Sequence, residues 1–156
     1  MKAILDSWKR MTTIQQVITI VIIAVILWFV VKWLKEQKVV ADRIVTEKAE
    51  VKVLQESGMK QSYTDSKFES WANELENYMN GGGTKITGIN RIFGYLHNDL
   101  DFVKLEKAFG LRLSSYSWSW FTSPSDLMDW LKGDLDPDEI KAINKQLKLQ
   151  GLTKQI

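Results

Sequence analysis

The pattern of apolar and polar positions changes character near residue 35. From Ile14 to Val31 the chain reads IQQVITIVIIAVILWFVV, with no charge between Val17 and Val31 and one hydroxyl there, Thr19. As a helix, residues 14–34 would extend ~31 Å, about one bilayer core. Backbone groups in lipid must pair internally, so a single span has to be helical. We therefore expect a transmembrane helix over 14–34, behind an N-terminal flank of residues 1–13. Trp8, Lys9 and Arg10 before the run, and Trp28, Lys32, Trp33 and Lys35 at its far end, are expected at the membrane interface. A cleaved signal peptide is the competing reading, but the run is long for one and WLKEQK follows it in place of a small-x-small site. A buried helix of a soluble protein would need a larger core than 156 residues supply.

Beyond the run, Lys35–Ser57 reads as a continuing helix, a stalk over residues 35–57. Val40, Ile44, Val51 and Leu54 fall near one face, with Asp42, Glu47, Lys48, Glu50 and Lys52 mostly off it. Val39-Val40 and Val51-Lys52-Val53 also admit a strand. Gly58 is expected to end the element, and polar residues 58–65 to form a hinge.

Residues 66–156 then predict a head of five helices. Thr64 or Asp65 caps the first, which carries Phe68, Trp71, Ala72, Leu75, Tyr78 and Met79 at helical spacing. Gly81-Gly82-Gly83 breaks it. Thr84 is expected to cap the second, with Ile86, Ile89, Ile92, Phe93 and Leu96 inward. Asn98 or Asp99 starts the third, which ends at Gly110. Ser125 or Asp126 starts the fourth, with Leu127, Trp130 and Leu131. The fifth has the clearest start: Asp136 caps, Pro137 opens the helix and Glu139 completes a capping box. Its Ile140, Ile143 and Leu147 face inward, and Gly151 ends it. The fold class expected is all-α.

Charge refines this division. The net charge of +2 is split, because residues 1–38 hold six Lys/Arg against two Asp/Glu while residues 39–156 hold fifteen against seventeen. The basic character belongs to the anchor, where it suits anionic lipid. The head lacks the basic footprint of a nucleic-acid binder, so no nucleic-acid partner is expected. Lys/Arg are also in excess on the C-terminal side of the run, which predicts a cytoplasmic head; in an internal virion membrane "inside" would need redefining. The absence of cysteine agrees with a cytoplasmic head without deciding it.

Five short helices with a GGGT between the first two resemble a single annexin repeat, over Lys67–Leu147. Helix one ends in YMNGGGT, KITGINRIF follows, and DLMDWLKGDL is similar to that family's fourth-helix segment. The resemblance implies a Ca²⁺ site made by the carbonyls of Met79, Gly81 and Gly83 with the Asp134 side chain, which is sound chemistry for an oxygen-seeking ion. The alternative is that the glycines only turn the chain and Asp134 lies on a solvated face. The chain departs from the family in having room for one repeat, in carrying Lys85-Ile86 after the loop threonine, and in an insertion at 112–123.

That insertion runs into the stretch SSYSWSWFTSPS, residues 114–125. In an extended chain Tyr116, Trp118 and Trp120 would share one side. With Phe121 they are candidates for docking on a protein partner or the membrane surface; the alternative is that they fill the helical core. Catalysis has little support: His97 is the only histidine, expected to cap or be solvated, and no Ser/His/Asp set or P-loop occurs. Glu74 and Glu76 read as surface acids. The acidic run 134–139 lacks the glycine and distant glutamate of an EF-hand, and helix capping accounts for it. No cofactor other than Ca²⁺ is suggested.

The expectation is a single-pass membrane protein that is not an enzyme. It would be a structural adaptor linking a bilayer to a protein assembly, in the manner of minor membrane proteins that join the internal membrane to the capsid in lipid-containing bacteriophage virions. The alternative is a calcium-dependent membrane-binding module. A third reading, an accessory lytic enzyme working through the tryptophan segment, would depend on His97 or a head carboxylate.

Overall fold

Every regular element among the described residues is an α-helix, so the all-α expectation holds. The computed structural model describes residues 12–80, 83–113 and 124–156, with the backbone alone at 36, 37, 39 and 40. The helices are α1 Thr13–Glu56, α2 Asp65–Met79, α3 Ile86–Gly94, α4 Asp99–Phe109, α5 Leu127–Asp134 and α6 Pro137–Leu149. Two compact units result, Met1–Asp42 and Arg43–Ile156, and α1 contributes to both.

In the first unit α1 opens on a capping box. The Gln15 amide donates to Thr12 Oγ1 at 3.4 Å and the Thr12 amide to Gln15 Oε1 at 3.0 Å, satisfying two donors that the helix cannot. Thr19, the one hydroxyl in the apolar run, donates to the Gln15 carbonyl at 2.8 Å, so it leaves no unpaired polar group there. The strand alternative for 39–40 and 51–53 is excluded, because both lie inside α1.

The second unit holds the core. Phe68, Trp71 and Leu75 of α2, Ile89, Ile92 and Phe93 of α3, Phe102 and Leu105 of α4, Leu131 of α5, and Ile143 and Leu147 of α6 are all essentially inaccessible. These are the stripes that the 3.6-residue period marks. A smaller cluster stands beside this core: Val51 of α1 packs with Leu100 and Val103 of α4, flanked by Leu54 and Met59. On the stalk face read from the sequence, Val51 is buried and Leu54 half-buried, whereas Ile44 is 45% exposed. The Val40 side chain lies outside the described residues.

Glycine ends α1 and α6 by one device. At Gly58 φ is +90°, the Met59 amide bonds the Leu54 carbonyl and the Gly58 amide that of Gln55. At Gly151 φ is +85°, with Leu152 bonded to Leu147 and Gly151 to Lys148. Both are Schellman motifs, in which the left-handed residue closes the last carbonyls and an apolar pair seals the turn. Leu147 and Leu152 are both buried, so the second motif also directs the C-terminal segment onto the head.

The helix starts follow the sequence at α4, α5 and α6, whereas Thr64 holds the cap position of α2 without a side-chain cap hydrogen bond, its hydroxyl pairing with that of Ser66 at 3.0 Å. Asn98 caps α4 by accepting from the Asp101 amide, and Asp126 caps α5 by accepting from that of Asp129. Asp136, Pro137 and Glu139 form the expected capping box of α6. At α3, however, the cap position falls to Lys85, and the Thr84 hydroxyl turns toward Asp134 instead. Leu96 is buried, but beyond the end of α3.

Candidate functional site

Among the described residues, one helix is long and apolar enough to cross a membrane: the 23-residue segment Thr13–Lys35, close to the N-terminus, with none of it buried. Each large apolar side chain from Val17 to Leu34 is between 44% and 58% exposed. Trp28 lies edge-on to Phe29 at 5.0 Å, and Lys32 Nζ sits 5.9 Å from the Trp28 ring centre. Trp33 and Lys35 are exposed. Trp8, Lys9 and Arg10 lie outside the described residues.

The glycine turn is closed by the Lys85 amide, which donates to the Tyr78 carbonyl at 3.1 Å. Met79, the last residue of α2, is buried; Gly83 is exposed; Gly81 lies outside the described residues. Asp134, distant in sequence, does approach this turn. Its Oδ2 accepts from Thr84 Oγ1 at 2.7 Å, and its carbonyl accepts from the same hydroxyl at 3.4 Å. Among the described residues, no three His, Cys, Asp or Glu side chains are grouped to hold a metal.

The insertion is fastened at its base. Arg112 and Ser125 exchange two backbone hydrogen bonds, at 2.9 and 3.0 Å, as an isolated antiparallel bridge. The Arg112 side chain binds Glu76 and reaches Asn73 at 3.0 Å and the Phe109 carbonyl at 2.8 Å, with its guanidinium 4.7 Å from the Phe109 ring centre. Asp126, the next residue after the bridge, binds Arg43 of α1. Tyr116, Trp118, Trp120 and Phe121 lie outside the described residues.

Several polar residues acquire roles that their neighbours in sequence do not reveal. Glu74 and Glu76, read as surface acids, are tied: Glu74 pairs with Arg91 at 3.4 Å and accepts from the Tyr78 hydroxyl at 3.2 Å, while Glu76 holds Arg112. His97 is exposed, as one of its two readings had it, and stacks on Tyr63 at 5.7 Å with a 2.9 Å hydrogen bond between Nε2 and the phenol. Asp101, fully buried, accepts from the amides of Ser62 at 2.7 Å and His97 at 3.0 Å. Together with the Asn98 side-chain Nδ2, which donates to the Lys60 carbonyl at 3.1 Å, this ties residues 60–62 to the start of α4.

Two further carboxylates meet the C-terminal segment. Asp99 accepts from the Thr153 hydroxyl at 2.5 Å and from the Thr153 and Lys154 amides at 2.8 and 3.0 Å. Burial alone would raise its carboxyl, but these hydrogen bonds outweigh burial and hold it below the ordinary value. Glu106 is the opposite case: burial pushes its carboxyl up, and the nearby Lys154 does not offset this.

Compared with protein-family models, curated proteins and solved structures, the chain matches none.

Proposed function

We propose that this protein is a membrane-anchored structural adaptor, fixed in a bilayer by Thr13–Lys35 and presenting its helical head to a protein assembly. One observation carries the reading: Thr13–Lys35 leaves its apolar side chains uncovered, while the head keeps its own in a packed core. A contiguous apolar surface of that kind calls for lipid or a partner to cover it. The aromatic row at Tyr116, Trp118, Trp120 and Phe121 is the docking element we assign to the head. Its support is the base of the insertion, which the Arg112–Ser125 bridge closes and the Asp126–Arg43 pair ties to α1. In build, a single span with a small head looks like the minor membrane proteins of lipid-containing bacteriophage virions, and a capsid-to-membrane link is the assembly role we favour.

The anchor is tested by alkaline carbonate extraction of membranes containing the full chain, with intact mass measured on the same sample. Retention of the uncleaved chain is expected; release, or loss of the N-terminal segment, overturns the anchor. Docking is tested by deleting residues 114–123. Membrane retention should persist while partner recruitment falls; unchanged recruitment removes the docking role.

The Thr84–Asp134 hydrogen bond favours a second reading, because it brings the one carboxylate that a calcium site would need to the glycine turn. Titrating the full chain with Ca²⁺ in a calorimeter decides it. Heat that disappears in Asp134→Ala supports calcium binding, and no heat removes it.

A further inference from the structure

The part of α1 that belongs to the head is fastened by charges as well as by Val51. A recess of about 150 Å³ opens between α1, α4, the start of α5 and the C-terminal segment. Two cations and four carboxylates line it. Arg43 binds Asp126 and lies 3.6 Å from Glu47. Lys154 binds Glu50 at 2.5 Å and reaches Glu106 at only 3.8 Å. Glu106 is thus the least well served: it takes the longer contact of a shared lysine, on the inner wall, facing two other carboxylates.

We propose that Glu106 is a proton-binding latch for the Arg43–Glu56 part of α1. When neutral it favours that helix docked on the head, and when ionised it loosens the helix.

The charges around it fix the sign. Burial pushes the Glu106 carboxyl up; Lys154 pulls it down; Glu50 and Glu47 push it up and Arg43 pulls it down. The net result is above the ordinary glutamate value. Undocking would return Glu106 to water and to that ordinary value, so docking takes up a proton. The stabilisation is therefore complete below the ordinary carboxylate range and is lost as pH rises through the raised value. Within that window the docking constant changes by up to about tenfold per pH unit, as one linked proton requires. The other carboxylates of the recess, Glu47, Glu50 and Asp126, pair with Arg43 and Lys154. Burial would lower the lysine, but its hydrogen bond to Glu50 and the charges of Glu106, Glu50 and Asp99 hold it up, so Lys154 stays charged throughout. The Glu106 contribution to docking is greatest at and below the ordinary glutamate value. The contact of Val51 with Leu100 and Val103 supplies a part that does not titrate.

The chain has no cysteine, so two can be placed for spin labels on the full chain in non-ionic detergent micelles, at exposed Val45 of α1 and Lys145 of α6. Pulsed-dipolar distances at pH 4.5, the ordinary glutamate value, should give one narrow population. At pH 8 a broader, displaced fraction should grow at least several-fold. Glu106→Gln should keep the pH 4.5 distribution at both values. Identical distributions at the two pH values in the parent chain, or the same pH response in Glu106→Gln, overturns the latch. Should the variant misfold, carboxyl NMR titration of the parent chain decides: Glu106 titrating at or below the ordinary value overturns the proposal, and titration above it supports it.

Discussion

Replacing Asp101 with alanine tests how the head is closed. The carboxylate is completely buried and holds two backbone donors, the amides of Ser62 and His97, at 2.7 and 3.0 Å. Its own amide is capped independently by Asn98, so Asp101→Ala leaves the α4 cap in place. A hydrogen bond to a charged acceptor contributes ~1.5–3 kcal/mol, and a buried donor stripped of its partner keeps its desolvation cost. Water can reach part of this site, since Ser62 and His97 are exposed residues. We therefore take the lower end for each bond and expect a loss of about 3 kcal/mol. Asp101→Asn retains one acceptor oxygen and should lose about half as much. Denaturant unfolding of the full chain in non-ionic detergent, followed by tryptophan fluorescence, measures the total. Amide hydrogen exchange at Ser62 and His97 locates it. If Asp101→Ala unfolds within about 0.5 kcal/mol of the parent, the range of an ordinary surface change, the buried carboxylate is not what joins residues 60–62 to α4.

Other expectations follow from the same contacts. At Gly88 an added Cβ would stand 2.5 Å from the Tyr78 ring, which Glu74 and Arg91 hold by hydrogen bonds, so Gly88→Ala should cost ~1–3 kcal/mol in thermal unfolding. Gly133 lies within α5 with open space where a Cβ would go, so Gly133→Ala should stabilise by ~0.4–1 kcal/mol in the same assay; a loss would contradict the helical reading there. Asp99 is held below its ordinary value of 3.8, so its contribution is present above that pH and is lost as pH falls through the lowered value. Exchange at the Thr153 and Lys154 amides should rise in that acid window in the parent chain, after correction for intrinsic rates, and Asp99→Asn should flatten the response.

The long apolar segment and the helices were legible because their signals are local. An uncharged run of bilayer length, a 3.6-residue stripe, Asp136-Pro137 with Glu139, and a glycine after the last apolar position each act on residues within a turn or two. Even the failure at Thr84 is instructive. Its spacing suits a cap, but its hydroxyl found Asp134, 50 positions away. Threonine before a helix offers the same oxygen to either partner, and only the packed chain decides between them.

The sequence by itself determined the all-α class, an apolar segment long enough to cross a membrane, and where most helices begin and end. Beyond the helix caps, tertiary structure decided what the polar residues do. Asp101 could not be told from any first-turn acid until Ser62 arrived from 39 positions away, nor Asp99 until Thr153 arrived from 54. Glu106 became distinct from Glu47 and Glu50 only once Lys154 was shared among neighbours and the recess closed around them. Apolar side chains announce burial through periodicity, because burial requires only one face. A carboxylate's role depends on which donors and charges surround it and on how much water remains, and these are set only when distant segments meet.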